Sequence, residues 1–527
     1  MAEQFLVVGG GTMGSGIALT AASGGYDVEI VEPDSGARAR SAEYLEREAQ
    51  RAGDRSPLER IRWRDAIGNP CSASVAIEAV PERFDLKSRI FAELAAALGP
   101  DALLATNTSS LSVADLADVV PHPERVVGLH FFNPAPRMAL VEVVYAPQTG
   151  EPAIERAYAI AQRLGKTAVL AADTPGFIVN RVARPFYLQS LRALERDVAP
   201  AEELDALARG AGFRMGPFEL MDLIGLDVNL AVSESVYDRT GAARFAPSAL
   251  QRRMVAQGRL GRKTGDGFYA YVGGKAERFE PDVPSPAPER NADEYVAVVG
   301  FGSLADELHA LVEERYERVV RIENDDFLDE LSPDVTIAID AGNGALDRAE
   351  TIAQLDTLLG PECAIFFDAY TTGAGECERR MRHPQRLAGF GILGALEAQR
   401  VVEIVDSETA SDDALELAQE FFGTLGKGVV LVEDVPGLFL GRTVGAIVNE
   451  AMIAVSENVA SADDVDEAMR LGANYPIGPI AWGREIGGAR IRRILRRVAD
   501  DDGEAFAPHR SLWMLDMEEA PPSEAPE

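Results

Sequence analysis

The hydrophobic pattern of residues 5–32 alternates between the period of a strand and that of a helix. FLVV at 5–8 and VEIVE at 28–32 are short apolar segments typical of strands, and SGIALTAASGG between them has the small apolar residues of a packed helix. The turn GGGTMG joins the first strand to this helix. The pattern predicts a strand, a glycine turn, a helix and a second strand.

The alternation continues to about residue 175. SVAIEAV, ALLATN, VVGLHFF and LVEVVYA are further apolar segments of strand length, and a charged helical segment is predicted over 38–64. Strands that alternate with helices indicate an α/β fold, a Rossmann doubly wound parallel sheet. After Pro175-Gly176 the pattern is helical to about Val255 and closes at GRKTGDGFYAY, which predicts an all-α domain.

The second half of the chain repeats the first. Glu142 recurs as Glu403 and Asp173 as Asp434, each 261 residues later. YVAVVGFGSLADELHALV again predicts a strand, a glycine turn and a helix, but the long helical segment between the first two strands is missing. The near-constant spacing predicts a duplicated fold with a reduced second Rossmann-like unit.

These patterns divide the chain into six regions. A proline- and glycine-rich stretch separates the two copies, and the acidic segment at the end is expected to be disordered. The predicted regions are a Rossmann domain at 1–176, a helical domain at 177–272, a linker at 273–292, a degenerate Rossmann-like domain at 293–435, a second helical domain at 436–512 and an acidic tail at 513–527.

Composition narrows the possible partners. The 527-residue chain has a formal net charge of −34, which argues against nucleic acid or an anionic membrane as a partner. No apolar run is expected to be long enough to cross a bilayer, so we predict a cytoplasmic protein. The three cysteines and five histidines have no spacing typical of disulfides or of a metal site, and no metal is expected.

The glycine turn predicts a dinucleotide site. Gly9, Gly11 and Gly14 have the spacing of the pyrophosphate-binding loop, and they follow a strand and open a helix whose amides attract phosphate. Glu32 ends the next strand, where an acid binds the adenosine ribose and repels a 2′-phosphate. This favours NAD, although Arg38 and Arg40 nearby leave NADP open.

His130 and Glu142 form a candidate catalytic pair. Removal of hydride from an alcohol needs a base for the hydroxyl proton and a group that orients this base. Two adjacent strands could bring this imidazole and carboxylate together, although a lone histidine beside a strand could equally be a satisfied core residue.

Further polar residues follow the strand ends. Ser109 and Asn107 lie where ligands meet an open sheet, but this stretch could also cap a helix; Asn180 could enter the site or only cap a helix. Glu82 and Lys87 could line a nicotinamide pocket or form a surface helix pair.

The two copies differ where this chemistry is expected. At the 261-residue spacing, Ser109 becomes Tyr370, His130 becomes Gly391, Asn133 becomes Gly394 and Asn180 becomes Gly441. We therefore predict that the second copy is catalytically dead and is retained for packing.

These motifs together resemble the L-3-hydroxyacyl-CoA dehydrogenase family. The resemblance covers residues 1 to about 271 through GGGTMGSGIA, ATNTSSLSV, GLHFFNPAPRMALVEVV and DTPGFIVNR, and the second half resembles the long bacterial members with a reduced second copy. It implies a set of roles: His130 as base, Glu142 as its orienting partner, Ser109 as hydrogen-bond partner of the reacting oxygen, Asn180 as a residue that positions substrate and imidazole, Gly9, Gly11, Thr12, Met13, Gly14 and Glu32 at the adenosine diphosphate, and Glu82, Lys87, Asn107, Ser109 and Asn133 near the nicotinamide.

The chain departs from the family at two places. The family often has aspartate where this chain has Glu32. It also has lysine and serine for CoA contacts in the segment after the second strand, whereas this chain has arginines there, so individual CoA contacts stay unassigned.

The resemblance implies NAD-dependent oxidation of a (3S)-3-hydroxyacyl-CoA to the 3-oxoacyl-CoA, of the 3-hydroxybutyryl or 3-hydroxyadipyl class, in β-oxidation or phenylacetate catabolism. Family members dimerise through their helical domains, so a chain with two copies is expected to form an intramolecular pseudo-dimer, with further homo-oligomerisation open. The alternatives are a dehydrogenase of free hydroxy or sugar acids, such as the lambda-crystallin-like gulonate enzymes, and an NAD-binding scaffold without turnover.

Overall fold

The structure is a computed structural model that describes residues 3–68, 71–276, 278–283, 290–342 and 347–517. Its first sheet has eight strands in the order β3-β2-β1-β4-β5-β6-β7-β8. The strands are β1 Gln4–Val8, β2 Asp27–Val31, β3 Ile61–Arg64, β4 Val75–Glu78, β5 Leu103–Thr106, β6 Val126–Phe131, β7 Leu140–Tyr145 and β8 Thr167–Ala172. The helices between them are α1 Thr12–Ser23, α2 Ser35–Ala52, α3 Phe84–Ala97, α4 Val113–Ala117 and α5 Glu151–Arg163.

The first sheet confirms the doubly wound α/β prediction and corrects it at two points. Ile61–Arg64, inside the segment predicted as helical, forms the edge strand β3 and pairs with β2. Strands β6 and β7 pair antiparallel, whereas the other neighbours in this sheet are parallel. A short connection joins β6 to β7, and a connection of this kind allows only antiparallel pairing.

The helical segment that follows begins at Val179. Its helices are α6 Val179–Val182, α7 Arg184–Glu195, α8 Ala201–Gly210, α9 Pro217–Ile224, α10 Leu226–Thr240 and α11 Ala249–Ala256. Buried Asp222 holds the closing GRKTGDGFYAY segment, because its carboxylate accepts hydrogen bonds from the Phe268 and Tyr269 amides and the Tyr271 hydroxyl.

The second sheet has seven strands in the order β10-β9-β11-β12-β13-β14-β15. The strands are β9 Asn291–Val299, β10 Tyr316–Ile322, β11 Ile337–Asp340, β12 Ala364–Asp368, β13 Leu387–Gly391, β14 Val401–Asp406 and β15 Gly428–Glu433. The helices are α12 Ser303–Arg315, α13 Ala349–Leu358, α14 Ala374–Glu378 and α15 Asp412–Thr424. Counterparts of α2 and β3 are missing from the described part of this sheet, which confirms the reduced second copy.

The last helical segment comprises α16 Leu438–Ser456, α17 Ala462–Gly472, α18 Pro479–Ile486 and α19 Gly488–Asp502. Helix α16 is long and apolar enough to cross a membrane, contrary to the sequence expectation, but 89% of its apolar window is buried within the protein. A 3-10 helix at Arg510–Asp516 places ordered chain within the region predicted as a tail from 513. Residues 518–527 of that tail, and 277 and 284–289 of the predicted linker, lie outside the described residues.

Each sheet receives a helix from the other copy. The described chain forms two compact units: one comprises 1–182, 238–240 and 454–474, and the other the remaining segments. In the first unit α17 packs on β7 and β8, and in the second unit α8 packs on β14. The Ala172 amide donates to the Val459 carbonyl, and the Glu433 amide donates to the Val198 carbonyl. The two donors are 261 residues apart in the sequence, and so are the two acceptors. The same exchange therefore occurs twice.

Candidate active site

The loop after β1 is built for close approach by a ligand. Gly9 has φ of +110°, which favours glycine, and a Cβ on Gly14 would lie 1.9 Å from the Gly9 carbonyl oxygen. A Cβ on Gly11, by contrast, would meet nothing within 4 Å. Helix α1 begins at Thr12, and no side chain caps its first amides. Exposed Thr12 and half-buried Met13 thus open a helix whose free amides suit a pyrophosphate.

Glu32 follows β2 and braces this loop. One carboxylate oxygen accepts from the Gly10 amide at 2.9 Å, and the other accepts from the Asp34 amide at 3.1 Å. Arg38 is one of the two arginines that made NADP an alternative in the sequence. Its guanidinium donates to the Glu32 and Arg64 carbonyls and pairs with Asp65. These partners occupy its guanidinium, so the immediate surroundings of Glu32 favour an unphosphorylated ribose.

His130 and Glu142 are direct partners across the antiparallel β6–β7 pair. The imidazole Nδ1 lies 2.6 Å from a Glu142 carboxylate oxygen, and both side chains are buried. The second Glu142 oxygen accepts from the amides of Ile178 and Val179, at 3.1 and 2.9 Å. The carboxylate is therefore fixed by two amides and in turn fixes the ring.

This arrangement determines the tautomer of His130. Because Glu142 accepts the Nδ1 proton, Nε2 of the neutral ring is left as the acceptor. The rings of Phe132 and Phe177 pack against the imidazole with centroid distances of 4.6 and 5.7 Å. The pair therefore combines an acceptor nitrogen with apolar walls, which suits a general base.

A buried ion cluster supports the loop after β5. Lys87 is 1% exposed and binds Glu78 at 2.8 Å and Glu82 at 3.1 Å, so the surface-pair alternative is wrong. One Glu82 oxygen accepts from the Ser109 and Ser110 amides and from the Thr108 and Ser110 hydroxyls. Although burial raises it, the pKa of Glu82 is lowered to about 2 by Lys87 and these donors, so the carboxylate is charged.

The other predicted residues lie at the same end of the sheet. Asn107 accepts from the Phe131 amide at 2.8 Å, which ties the end of β5 to the end of β6 beside His130. Half-buried Ser109 is held by its amide, and Asn133 lies in the loop after β6. Asn180 is the second residue of α6 and directly follows the two residues whose amides hold Glu142.

The second copy keeps the carboxylate and replaces the imidazole. Glu403 accepts from the Phe439 and Leu440 amides, as Glu142 does from its own pair, but its third donor is the Tyr370 hydroxyl at 2.6 Å. A Cβ on Gly391 would lie 2.9 Å from this phenol ring, and one on Gly441 would lie 2.7 Å from it. The buried ring thus occupies the space that the side chains of His130 and Asn180 need in the first copy.

Several groups of the site were not predicted from the sequence. Glu78 binds both Lys87 and Thr106, and desolvation raises its pKa against the effect of Lys87. An acid at the end of an apolar strand, nine residues before a lysine, is the signal that could have revealed this pair. The amides of Ile178 and Val179 and the wall residue Phe177 carry no side-chain signal of polar function.

Comparison with known proteins gives a consistent result. The family model for the 3-hydroxyacyl-CoA dehydrogenase NAD binding domain matches residues 4–174 and 302–435, and that for the C-terminal domain matches 176–271 and 437–524. A 3-hydroxyadipyl-CoA dehydrogenase of Escherichia coli K12 is 37% identical over 95% of this chain and 94% of its own length. A probable 3-hydroxybutyryl-CoA dehydrogenase of Bacillus subtilis is 36% identical over 51% of this chain and 97% of its own length.

A solved structure indicates the same family as the sequence relatives. The crystal structure of a 3-hydroxybutyryl-CoA dehydrogenase from Escherichia coli K12 superposes with a TM-score of 0.77 and 33% identity, covering 98% of both chains. With two family models covering most of the chain and a full-length relative, the chain belongs to the 3-hydroxyacyl-CoA dehydrogenase family, whose members are NAD-dependent oxidoreductases.

Proposed function

We propose that the first copy oxidises (3S)-3-hydroxyacyl-CoA thioesters to 3-oxoacyl-CoA, with His130 as the general base. The observation that carries this proposal is the 2.6 Å contact between His130 Nδ1 and buried Glu142, which leaves Nε2 as the proton acceptor. NAD, when bound, supplies the acceptor for the hydride. The open space over Gly11, the uncapped start of α1 and the carboxylate of Glu32 fit its adenosine diphosphate part.

His130 moves the proton and Glu142 holds the ring for it. Nε2 takes the hydroxyl proton as the C–H bond at the third carbon of the substrate breaks, and the imidazolium that forms is stabilised by the adjacent carboxylate. In the reverse direction the imidazolium returns the proton to the developing alkoxide. Because the amides of Ile178 and Val179 fix the carboxylate, little reorganisation accompanies the change of charge.

The loop after β5 has a positioning role in this proposal. Charged Glu82 fixes the Ser109 amide, so the hydroxyl of Ser109 starts from a defined backbone and can donate to the reacting oxygen. Asn107 holds the end of β6, and Asn133 and Asn180 come shortly after Phe132 and Phe177, whose rings pack against the imidazole. Glu82, Lys87, Asn107, Ser109 and Asn133 are the residues we assign to the nicotinamide side.

The substrate class rests on the relatives. Their names divide between 3-hydroxybutyryl-CoA and 3-hydroxyadipyl-CoA, which differ in acyl length and in a terminal carboxylate. A cytoplasmic location is also part of the proposal, since the three cysteines are buried free thiols, as in a reducing compartment.

The reciprocal placement of α8 and α17 supports an intramolecular pseudo-dimer, in which each copy supplies a helix to the sheet of the other. A fragment of residues 1–271 lacks the α17 that covers β7 and β8, so light scattering should show it dimeric or aggregated. A fragment that stays monomeric and fully active would contradict this part of the proposal.

The direct test is NADH absorbance with a panel of 3-oxoacyl-CoA, dicarboxyl-CoA and free 3-oxo acid substrates. Turnover of thioesters with NADH, lost in His130→Ala, is the expected result, and the best substrate settles acyl length and terminal charge. Activity on free acids but not on thioesters would replace the proposal with the hydroxy-acid alternative. Binding of NADH with turnover of none of these substrates would leave only a scaffold.

A further inference from the structure

The second helical segment contains a cavity lined by arginines. It measures about 720 Å³ and lies between α19 and the segment 508–513. The wall includes Arg492, Arg493, Arg496, Arg497, Arg510 and Trp513. A pocket of this size accommodates a ligand as large as a nucleotide.

The charge of this cavity is opposite to that of the chain. Five arginines and one histidine line it with a single acid, Asp500, in a protein of net charge −34. Acids at the rim pair with some of them: Asp516 with Arg492, Glu504 with Arg496 and Glu376 with Arg497. Exposed Arg510 has no ion pair with any residue in the described parts of the chain, and the Arg497 Nε is buried without a hydrogen-bond partner there.

Trp513 adds an aromatic platform to these cations. Its side chain is 62% exposed, whereas Trp482 is buried, and the Arg492 guanidinium lies 3.5 Å from the indole centroid. An exposed indole forgoes the stabilisation that burial of its apolar surface would give. It provides a flat surface on which a base can stack, and a guanidinium strengthens such stacking.

The arginines are particular to the second copy. At the 262-residue spacing that relates α10 to α19, the positions of Arg492, Arg493, Arg496 and Arg497 are occupied in the first copy by Leu230, Ala231, Glu234 and Ser235. The shared helical fold therefore does not need these cations.

We propose that this cavity binds an adenosine diphosphate group, with its phosphates on Arg496 and Arg510 and its base against Trp513. Guanidinium forks match phosphate oxygens, and an indole matches a purine face. CoA and NAD both carry this group, so either could be the source. None of the residues that line the cavity belongs to the set assigned to the His130 centre.

The test is calorimetric titration of the full-length protein with ADP, CoA, NAD⁺ and inorganic pyrophosphate. We expect ADP to show one binding event in addition to the one that the glycine loop provides. Salt should weaken this event, and the double variant Arg496→Gln with Arg510→Gln should weaken it at least about tenfold, since each phosphate contact is a charge-assisted hydrogen bond. Arg318→Gln is the control for the loss of an arginine charge, because Arg318 is exposed like Arg510 but lies on β10, outside the cavity.

The four ligands distinguish the cofactor that supplies the adenosine diphosphate group from the outcomes that would overturn the proposal. Extra binding of ADP together with CoA, with NAD⁺ or with both identifies which cofactor the cavity accepts, and Trp513→Ala should weaken each of them. The lack of an extra ADP event would overturn the proposal. An extra binding event whose affinity the double variant does not weaken would overturn the proposal. Pyrophosphate binding equal to ADP binding and unaffected by Trp513→Ala would also overturn it. Thioester turnover by the same variants, measured separately, reports on His130 and not on this cavity.

Discussion

The two copies contain the same buried glutamate in two different chemical settings. Glu142 and Glu403 each lie on the strand that pairs antiparallel with its neighbour, and each accepts hydrogen bonds from two amides at the start of the helical segment that follows its sheet. The third donor is an imidazole in the first copy and a phenol in the second. The fold thus provides the carboxylate in both copies, and the copies differ in the side chain that this carboxylate holds.

The second copy is also closed by contacts that the first copy cannot make. Arg490 of α19 binds Asp368 and the Ile392 carbonyl, both at 2.8 Å, and Arg493 donates to the Thr371 carbonyl. The first copy has Val228 and Ala231 at these arginine positions. Ion pairs that join the helix to the strand ends, together with the Tyr370 ring, fit the structural role that is predicted for the second copy.

The largest effect is expected from His130→Ala. Positioned acid–base catalysis contributes about 10²–10⁴-fold, so kcat should fall by that order while NADH binding changes little. Tyr370→Phe is the matched change in the other copy and should leave kcat unaltered. NADH oxidation by thioester substrates measures the first quantity, and NADH fluorescence titration measures the second.

Near wild-type turnover by His130→Ala would mean that the second copy carries the activity or that the imidazole is structural. A collapse of NADH affinity would likewise point to a structural histidine.

Glu142→Gln should have the next largest effect. The amide can still accept from the Ile178 and Val179 amides, but its NH₂ would face Nδ1 and favour the tautomer in which Nε2 carries the proton. A ring in this tautomer cannot take the hydroxyl proton, so kcat should fall on the order of 10²-fold with little change in KM. Glu403→Gln, the matched variant, should not change kcat.

The sequence predicted the candidate residues of the first copy better than the strand pairing that brings them together. The glycine spacing, the acid at residue 32 and the 261-residue repeat are local or periodic signals, and each was found. The direct pairing of His130 with Glu142 depends on the antiparallel register of β6 and β7, which a prediction of a parallel sheet does not provide. The register is set by the connection between the strands and not by the two residues.

Other features could not be seen because they depend on distant packing. Tyr370 at the position of Ser109 predicts a chemical difference between the copies, but only the structure shows that its ring fills the space above Gly391 and Gly441. The exchange of α8 and α17 between the copies depends on a surface complementarity that no local pattern records.

Gly391→Ala should destabilise the second copy. Its Cβ would lie 2.9 Å from both the Glu403 carboxylate and the Tyr370 ring and 3.0 Å from Leu438, and such overpacking costs about 1–3 kcal/mol. Gly360→Ala is the control, because its Cβ would meet only the Pro333 carbonyl oxygen, at 3.5 Å. Guanidinium denaturation followed by circular dichroism measures both, and equal midpoints for the two variants would contradict the packing of the Tyr370 ring against Gly391.

The smallest effect is the pH dependence that Glu403 contributes. Burial raises its pKa from 4.5 to about 7, against the hydrogen bonds of Tyr370 and the two amides. Because the folded-state pKa lies above that of the unfolded chain, the stability contributed by this group is present in full below pH 4.5 and is lost as the pH rises through about 7. The unfolding free energy of the wild type, relative to that of Glu403→Gln, should therefore fall across this window by on the order of 1 kcal/mol. The difference between the two proteins removes the contributions of other raised groups, such as Asp205, whose pKa burial raises to about 7. A difference that is flat with pH would mean that Glu403 is charged in the folded protein, and the buried glutamate of the second copy would then still be a candidate partner for a base.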